Sequence, residues 1–90
     1  MEFEWDPRKA DTNRRKHGVT FQEGTTVWGD PLAITFADPD HSEDEERYIT
    51  FGLSRQKRLI VVSQADRGNK TRIISARLMS REERKIYEEG

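Results

Sequence analysis

The sequence predicts a single α+β domain over residues 1–90, with two N-terminal helices, a mainly antiparallel sheet of about four strands, and a C-terminal helix. Three observations carry this expectation. Helix-opening signals at Asp6-Pro7 and Thr20…Glu23 precede the strand-like runs. Three β-rich segments then follow between residues 47 and 78, joined by links too short for the crossover of a dozen residues that parallel pairing needs. Ser80 and Glu83, at capping-box spacing, open the last helix.

In chain order, Glu2–Trp5 reads as a short edge strand. Asp6 is placed to cap a helix whose first position is Pro7, where the missing N–H costs nothing. That helix should run to about Lys16 and stop at His17-Gly18. Ala10 is its only plainly hydrophobic residue, so Asn13, the Arg14 stem and His17 must help it pack. Thr20 and Glu23 open a second helix to about Val27 or Trp28, ended by Gly29-Asp-Pro31. Leu32–Phe36 is a candidate strand, and residues 38–46 an acidic, mobile loop. Arg47–Leu53, Arg58–Ser63 and Lys70–Leu78 are strands, the middle one apolar on both faces and hence central. Ser80 starts a helix through about Glu89.

Hydrophobic residues make up 32% of the chain and charged residues 37%, which is lean for a self-sufficient globule and suits association with a partner. The net charge of −1 hides an asymmetry. Residues 1–46 carry 5 basic and 12 acidic side chains, whereas residues 47–90 carry 11 basic and 5 acidic. The second half can therefore present a local positive field to a polyanion, unless the two halves neutralise each other across the fold. With no cysteine there is no disulfide and no thiolate zinc site. No basic-then-apolar leader opens the chain and no run approaches a membrane span, so a soluble, cytoplasmic protein is expected.

The chemistry-bearing residues concentrate near the C-terminal end: Arg72 and Arg77 on a strand, Arg81, Arg84 and Tyr87 on the following helix. Strict alternation sends Arg72, Ile74, Ala76 and Leu78 to one face and Ile73, Ser75 and Arg77 to the other. The two arginines share a face only if a bulge, strong twist or strand end intervenes. Arg77, at the strand-to-helix junction, is the better phosphate contact, because free N–H groups of the next helix also favour an anion. A structural ion pair is as good a reading for Arg72. Arg84 lies three residues from both Arg81 and Tyr87, a spacing that also fits a helix laced with ion pairs.

His17 and His41 are the only imidazoles. Histidine is the usual acid–base residue near neutrality, but His17 also suits the C-terminal end of a helix dipole, and His41 reads as a solvated loop residue. HExxH spacing, a calcium loop, a phosphate-binding glycine loop and a serine-nucleophile pattern are all missing, so no metal or cofactor is expected. RNA phosphodiester cleavage by the 2′-hydroxyl remains compatible. It needs a proton acceptor, a proton donor and cations over the phosphate, and the planar fork of arginine bridges two phosphate oxygens. Tyr48 or Tyr87 is available to stack on a base.

Four segments together resemble the BrnT family of type II toxins: Phe3-Glu-Trp-Asp-Pro-Arg-Lys-Ala10; Asn13-Arg-Arg-Lys-His-Gly-Val-Thr-Phe21; Glu46-Arg-Tyr48 with Gly52; and Arg72-Ile-Ile-Ser-Ala-Arg77 through Glu83-Arg84 and Tyr87. The resemblance spans nearly the whole chain. It implies a small RelE-like ribonuclease that halts translation by cutting RNA. It also implies neutralisation by a BrnA-like antitoxin, whose ribbon-helix-helix domain contacts operator DNA. On matching positions it points to His17 with Lys16, to Arg72 and Arg77, and to Glu83, Arg84 and Tyr87; His17, Arg72, Arg77 and Tyr87 are then the expected catalytic residues, and Lys16, Arg84 and, one turn before it, Arg81 the expected substrate-binding residues. The family commonly has glycine before the Glu46-Arg47 pair, where this chain has Glu45. The alternative is a non-catalytic module on the toxin fold that binds the antitoxin and serves operon autoregulation. Direct binding of duplex DNA is weaker still, for want of a recognition helix.

Overall fold

The computed structural model describes residues 2–41 and 45–90. Its elements are β1 (Glu2–Glu4), α1 (Pro7–His17), α2 (Phe21–Thr25), a 3-10 turn (Thr26–Gly29), β2 (Ile34–Ala37), β3 (Arg47–Leu53), β4 (Leu59–Asp66), β5 (Lys70–Leu78) and α3 (Arg81–Glu89). Of the acidic segment expected at 38–46, Pro39–His41 form a further 3-10 turn, while residues 42–44 and the His41 side chain lie outside the described part.

The sheet has five strands in the order β1-β5-β4-β3-β2, one more than expected, and it is mainly antiparallel as expected. Four strands do pair antiparallel, but β1 adds a parallel edge against β5, Glu2 to Glu4 lying beside Lys70 to Arg72. Short links constrain only strands adjacent in sequence. β1 reaches its partner through nearly the whole chain, so the crossover rule is satisfied. The second helix is also shorter than expected, because after Thr25 the chain tightens into the 3-10 turn.

Local signals set the helices. The Asp6 carboxylate accepts from Arg8 N–H, and Gly18 closes α1 in the left-handed conformation at φ 69°. Thr20 caps α2 through Glu23 N–H, but the Glu23 side chain does not complete the box, being engaged elsewhere. At α3 both halves of the Ser80–Glu83 capping box are present.

Both short helices and the 3-10 turn pack on one side of the sheet. There Val19, Phe21, Val27, Ile60, Val62, Ile73 and Ala76 form the main core, closed at its rim by Phe3, Trp5, Ala10 and Trp28. A side chain at Gly52 would place its Cβ 2.8 Å from Val27 Cβ, so glycine here lets the 3-10 turn lie directly on β3. The almost wholly polar α1 docks through Asn13, its one buried residue. Asn13 Nδ2 donates to Ala76 O (2.7 Å) and Val19 O (2.9 Å), and Oδ1 accepts from Ala76 N–H (3.1 Å). β1 pairs with β5 only up to Arg72, so beyond that point the Asn13 amide stands in for a missing strand neighbour. On the opposite face, a second cluster of Phe51, Val61 and Met79 carries Ile49, Leu59 and Tyr87 at its margin, with α3 lying across one end.

Candidate functional site

The register of β4 and β5 answers the question that alternation raised about Arg72 and Arg77. Ser63 faces Ser75, yet the next residue, Gln64, faces Ile73, so Ile74 is an extra residue on β5. The bulge resets the alternation. Arg72, Ser75 and Arg77 lie opposite Ala65, Ser63 and Val61, alternate residues of β4 that point one way. Ile73 and Ala76 both turn to the helix-bearing side, where each is almost fully buried. Arg72 and Arg77 therefore share the open face of the sheet, four residues of β4 or roughly 13 Å apart.

Each of these arginines is held by a carboxylate. Arg77 makes a two-pronged pair with Glu83, Nη1 to Oε1 at 2.7 Å and Nη2 to Oε2 at 2.8 Å. Glu83 Oε1 also accepts from Ser80 N–H at 2.8 Å, so one side chain both caps α3 and orients Arg77. The Arg77 guanidinium is the main cause that draws the Glu83 carboxyl down to about 2, with burial opposing and the Ser80 N–H assisting. Arg72 donates to Glu45 Oε1 at 2.5 Å.

On α3, Tyr87 packs against the Phe51–Val61–Met79 cluster and donates its hydroxyl to Asp30 Oδ2 at 2.6 Å. The same oxygen accepts from Leu53 N–H at 2.8 Å, and Oδ1 accepts from Leu32 N–H at 2.9 Å. Burial and the Asp30 carboxylate push the Tyr87 hydroxyl up to about 12. Arg84, one turn earlier, lines a hollow of about 290 Å³ with Lys57, Arg58, Leu59, Leu78 and Met79. Arg81 is exposed at the start of the helix.

Lys16 and His17 lie elsewhere. They line a groove of about 330 Å³ between α1 and the outer edge of β5, with Arg8, Lys9, Thr12, Asn13, Ile74 and Ser75. Among the described residues nothing hydrogen-bonds to the His17 ring. The structure thus gathers Arg72 and Arg77 on the open face, sets Arg84 and Tyr87 at one end of that face, and places Lys16 and His17 around the free edge of β5. Ser75 belongs to both regions, since it lines the groove and pairs with Ser63. Tyr48, whose partner on β4 is Gln64, is on the helix-bearing side and donates to Glu46 Oε2 at 3.0 Å.

Three features escaped the sequence reading. Glu83 serves Arg77 as well as Ser80. Glu45 gathers Arg67 and Arg47 in addition to Arg72. Glu23, almost fully buried, accepts from Arg58 and from Ser54 Oγ (2.8 Å), tying α2 to the β3–β4 turn. The capping-box spacing of Glu23 and Glu83 drew attention to both residues but not to their ion pairs. Among the described residues no group of three or more His, Asp or Glu side chains is placed to hold a metal ion.

A family model described as "Ribonuclease toxin, BrnT, of type II toxin-antitoxin system" matches residues 5–83. The fold is similar to the crystal structure of the Brucella abortus ribonuclease toxin BrnT, with a TM-score of 0.69 and 25% sequence identity. That likeness covers 90% of this chain and 99% of the Brucella chain. Comparison with curated protein sequences gives no match.

Proposed function

The chain belongs to the BrnT family, the ribonuclease toxins of type II toxin–antitoxin systems, and from that premise we propose that it cuts RNA across the free edge of β5. In this reading an RNA strand passes from the groove beside α1, over the bulge at Ile74, onto the open face of the sheet. The observation that carries it is the bulge itself, which turns Arg77 and Arg72 to the same face while leaving Ser75 in the groove lined by Lys16 and His17.

The reaction is metal-independent attack by the ribose 2′-hydroxyl. The O2′–P bond forms, the P–O5′ bond breaks, and a 2′,3′-cyclic phosphate results. A base takes the 2′-hydroxyl proton and an acid supplies one to the departing 5′-oxygen. Arg77 contacts the scissile phosphate and opposes its growing negative charge, and Arg72, further along the same face, contacts the adjoining phosphate. His17 and Tyr87 are the proton-transfer candidates, and His17 is the better placed because nothing among the described residues hydrogen-bonds to its ring. The Tyr87 hydroxyl must first leave Asp30, which also suits it to fixing α3 beneath Arg84. Lys16, Arg81 and Arg84 bind the flanking phosphates. RelE-like chemistry is the analogy, with arrested translation as the outcome in the cytoplasm.

A type II toxin has a protein antitoxin. We take that partner to be BrnA-like, with a ribbon-helix-helix domain that carries the pair to operator DNA. Induced expression tests the enzyme. Wild type should arrest growth and fragment RNA, R77A should do neither, and H17A should be strongly impaired. Equal toxicity of wild type and R77A would remove Arg77 from the mechanism.

A second reading is supported by the ion pairs on both arginines and by the separation of His17 from Tyr87. A non-catalytic module of this fold would bind the antitoxin and repress its operon without cleaving RNA. Antitoxin binding and operator repression with no RNA cleavage by purified protein is its signature.

A further inference from the structure

The cluster around Glu45 is built as an anion site with an occupant. Three guanidiniums converge on this one carboxylate. Arg72 Nη2 lies 2.5 Å from Oε1, Arg47 Nε 3.4 Å from Oε1, and Arg67 Nη1 3.5 Å from Oε2. Glu45 is the most enclosed of the four, its side chain 19% exposed, whereas Arg67 is 47% exposed. Both Arg47 and Arg72 face Ala65 from neighbouring strands, so their stems flank a small buried residue on the open face. This is also the face that carries Arg77.

Geometry separates this cluster from an ordinary surface pair. A lone pair needs one cation; here three cations, contributed by β3, the β4–β5 turn and β5, lie within 3.5 Å of the two carboxylate oxygens. A phosphodiester also offers two unbridged oxygens with one negative charge, and arginine forks suit it. Burial pushes the Glu45 carboxyl up, but Arg72, Arg47 and Arg67 outweigh it and hold it below the usual range. The carboxylate therefore stays charged near neutrality and keeps competing for the arginines.

We propose that Arg67 and Arg72, with Arg47 beside them, form a phosphodiester-binding subsite for single-stranded RNA, and that Glu45 holds Arg67 and Arg72 in the free protein as an internal competitor. The proposal rests on the ribonuclease reading and extends the RNA track beyond Arg77 to the turn at Arg67. RNA that enters the subsite displaces Glu45, so the wild-type chain binds RNA more weakly than its arginines alone would allow. Removing the charge at residue 45, while keeping the shape, unmasks the site.

The test uses the purified full chain and a short single-stranded RNA whose 2′-hydroxyls are methylated, so that it binds without being cut. Fluorescence anisotropy over a range of salt gives affinity and salt slope, and thermal melting checks folding. E45Q should bind roughly tenfold more tightly at low salt, the size expected for releasing a charge-assisted contact. Its salt slope should steepen by about 0.7 for each arginine freed to meet a phosphate. R67Q in the E45Q background should lose most of the gain, while melting like E45Q.

Unchanged affinity and slope in a folded E45Q protein, with wild type still cleaving unmodified RNA, would overturn the subsite and leave the ribonuclease reading standing. Tighter binding of poly-glutamate by E45Q with no gain for RNA would assign the cluster to an acidic protein partner and overturn it as well. A wild type that neither binds nor cleaves RNA would remove both.

Discussion

The two sides of the sheet solve the burial of polar groups in opposite ways. On the helix-bearing side, Asn13 and Glu23 are almost completely enclosed, and several partners satisfy each of them. On the open side, Arg72 and Arg77 are partly exposed, and each rests on one carboxylate. An enclosed amide cannot exchange its partners for water, so losing it leaves orphaned backbone groups. A half-exposed guanidinium can exchange a carboxylate for a phosphate at small cost, because solvent screens both states. The difference separates a side whose polar groups cannot change partners from a side whose arginines, in the proposed function, exchange carboxylate for phosphate.

Breaking the enclosed side should produce the largest stability losses. Asn13→Ala orphans the Ala76 N–H and the carbonyls of Ala76 and Val19, and should cost about 3 kcal/mol, read from denaturant unfolding. Glu23→Gln keeps the shape but takes the negative charge from Arg58, and should cost about 2 kcal/mol, less than a fully buried pair because Arg58 is 37% exposed. A loss under about 0.5 kcal/mol in either variant would mean that the enclosed contacts do not hold the fold.

Acid sharpens the comparison on the open side. The Glu83 carboxyl sits at about 2 in the folded chain against an ordinary 4.5. Its contribution is therefore complete above pH 4.5 and is lost as pH falls from there toward 2. After discounting for solvent around Arg77, the loss should be about 2 kcal/mol. Unfolding of wild type and E83Q followed between pH 6 and 2.5 should show a shallower acid decline in the variant. Parallel curves would sink the assignment.

The smallest change should come from Tyr87→Phe, which removes one hydrogen bond to Asp30 and costs about 1 kcal/mol. If Tyr87 only fixes α3, RNA cleavage by Y87F should fall in step with that modest loosening. A drop of a hundredfold or more with the fold intact would instead give its hydroxyl a direct part in proton transfer.

What the sequence made legible was local. Asp6, Thr20 and Ser80 announce helix starts because a cap and its N–H partner lie within three residues. Gly18 announces a stop for the same reason. Pairings between distant segments were not legible. Nothing near Glu2–Glu4 encodes a parallel partner at Lys70–Arg72, and nothing in Arg72–Arg77 alone places the extra residue at Ile74, since a bulge is a property of two strands. For the proposed site, arginine-rich composition drew attention to residues 72–87, but the carboxylates that hold Arg77 and Arg72, Glu83 and Glu45, emerged only from the fold. The resemblance to BrnT toxins, carried by motifs spread along the chain, was legible from the residues and agrees with the family match over 5–83.

RNA cleavage by purified, antitoxin-free protein tests the central claim most directly, with Arg77 on the open face compared against Arg15 on the outer surface of α1. Arg15 is 69% exposed and, among the described residues, pairs with Asp11. R77Q should lose activity by roughly a hundredfold or more, the scale of one transition-state contact, while R15Q should cleave like wild type. R77Q that cleaves as fast as wild type, or R15Q that fails equally, would contradict the account.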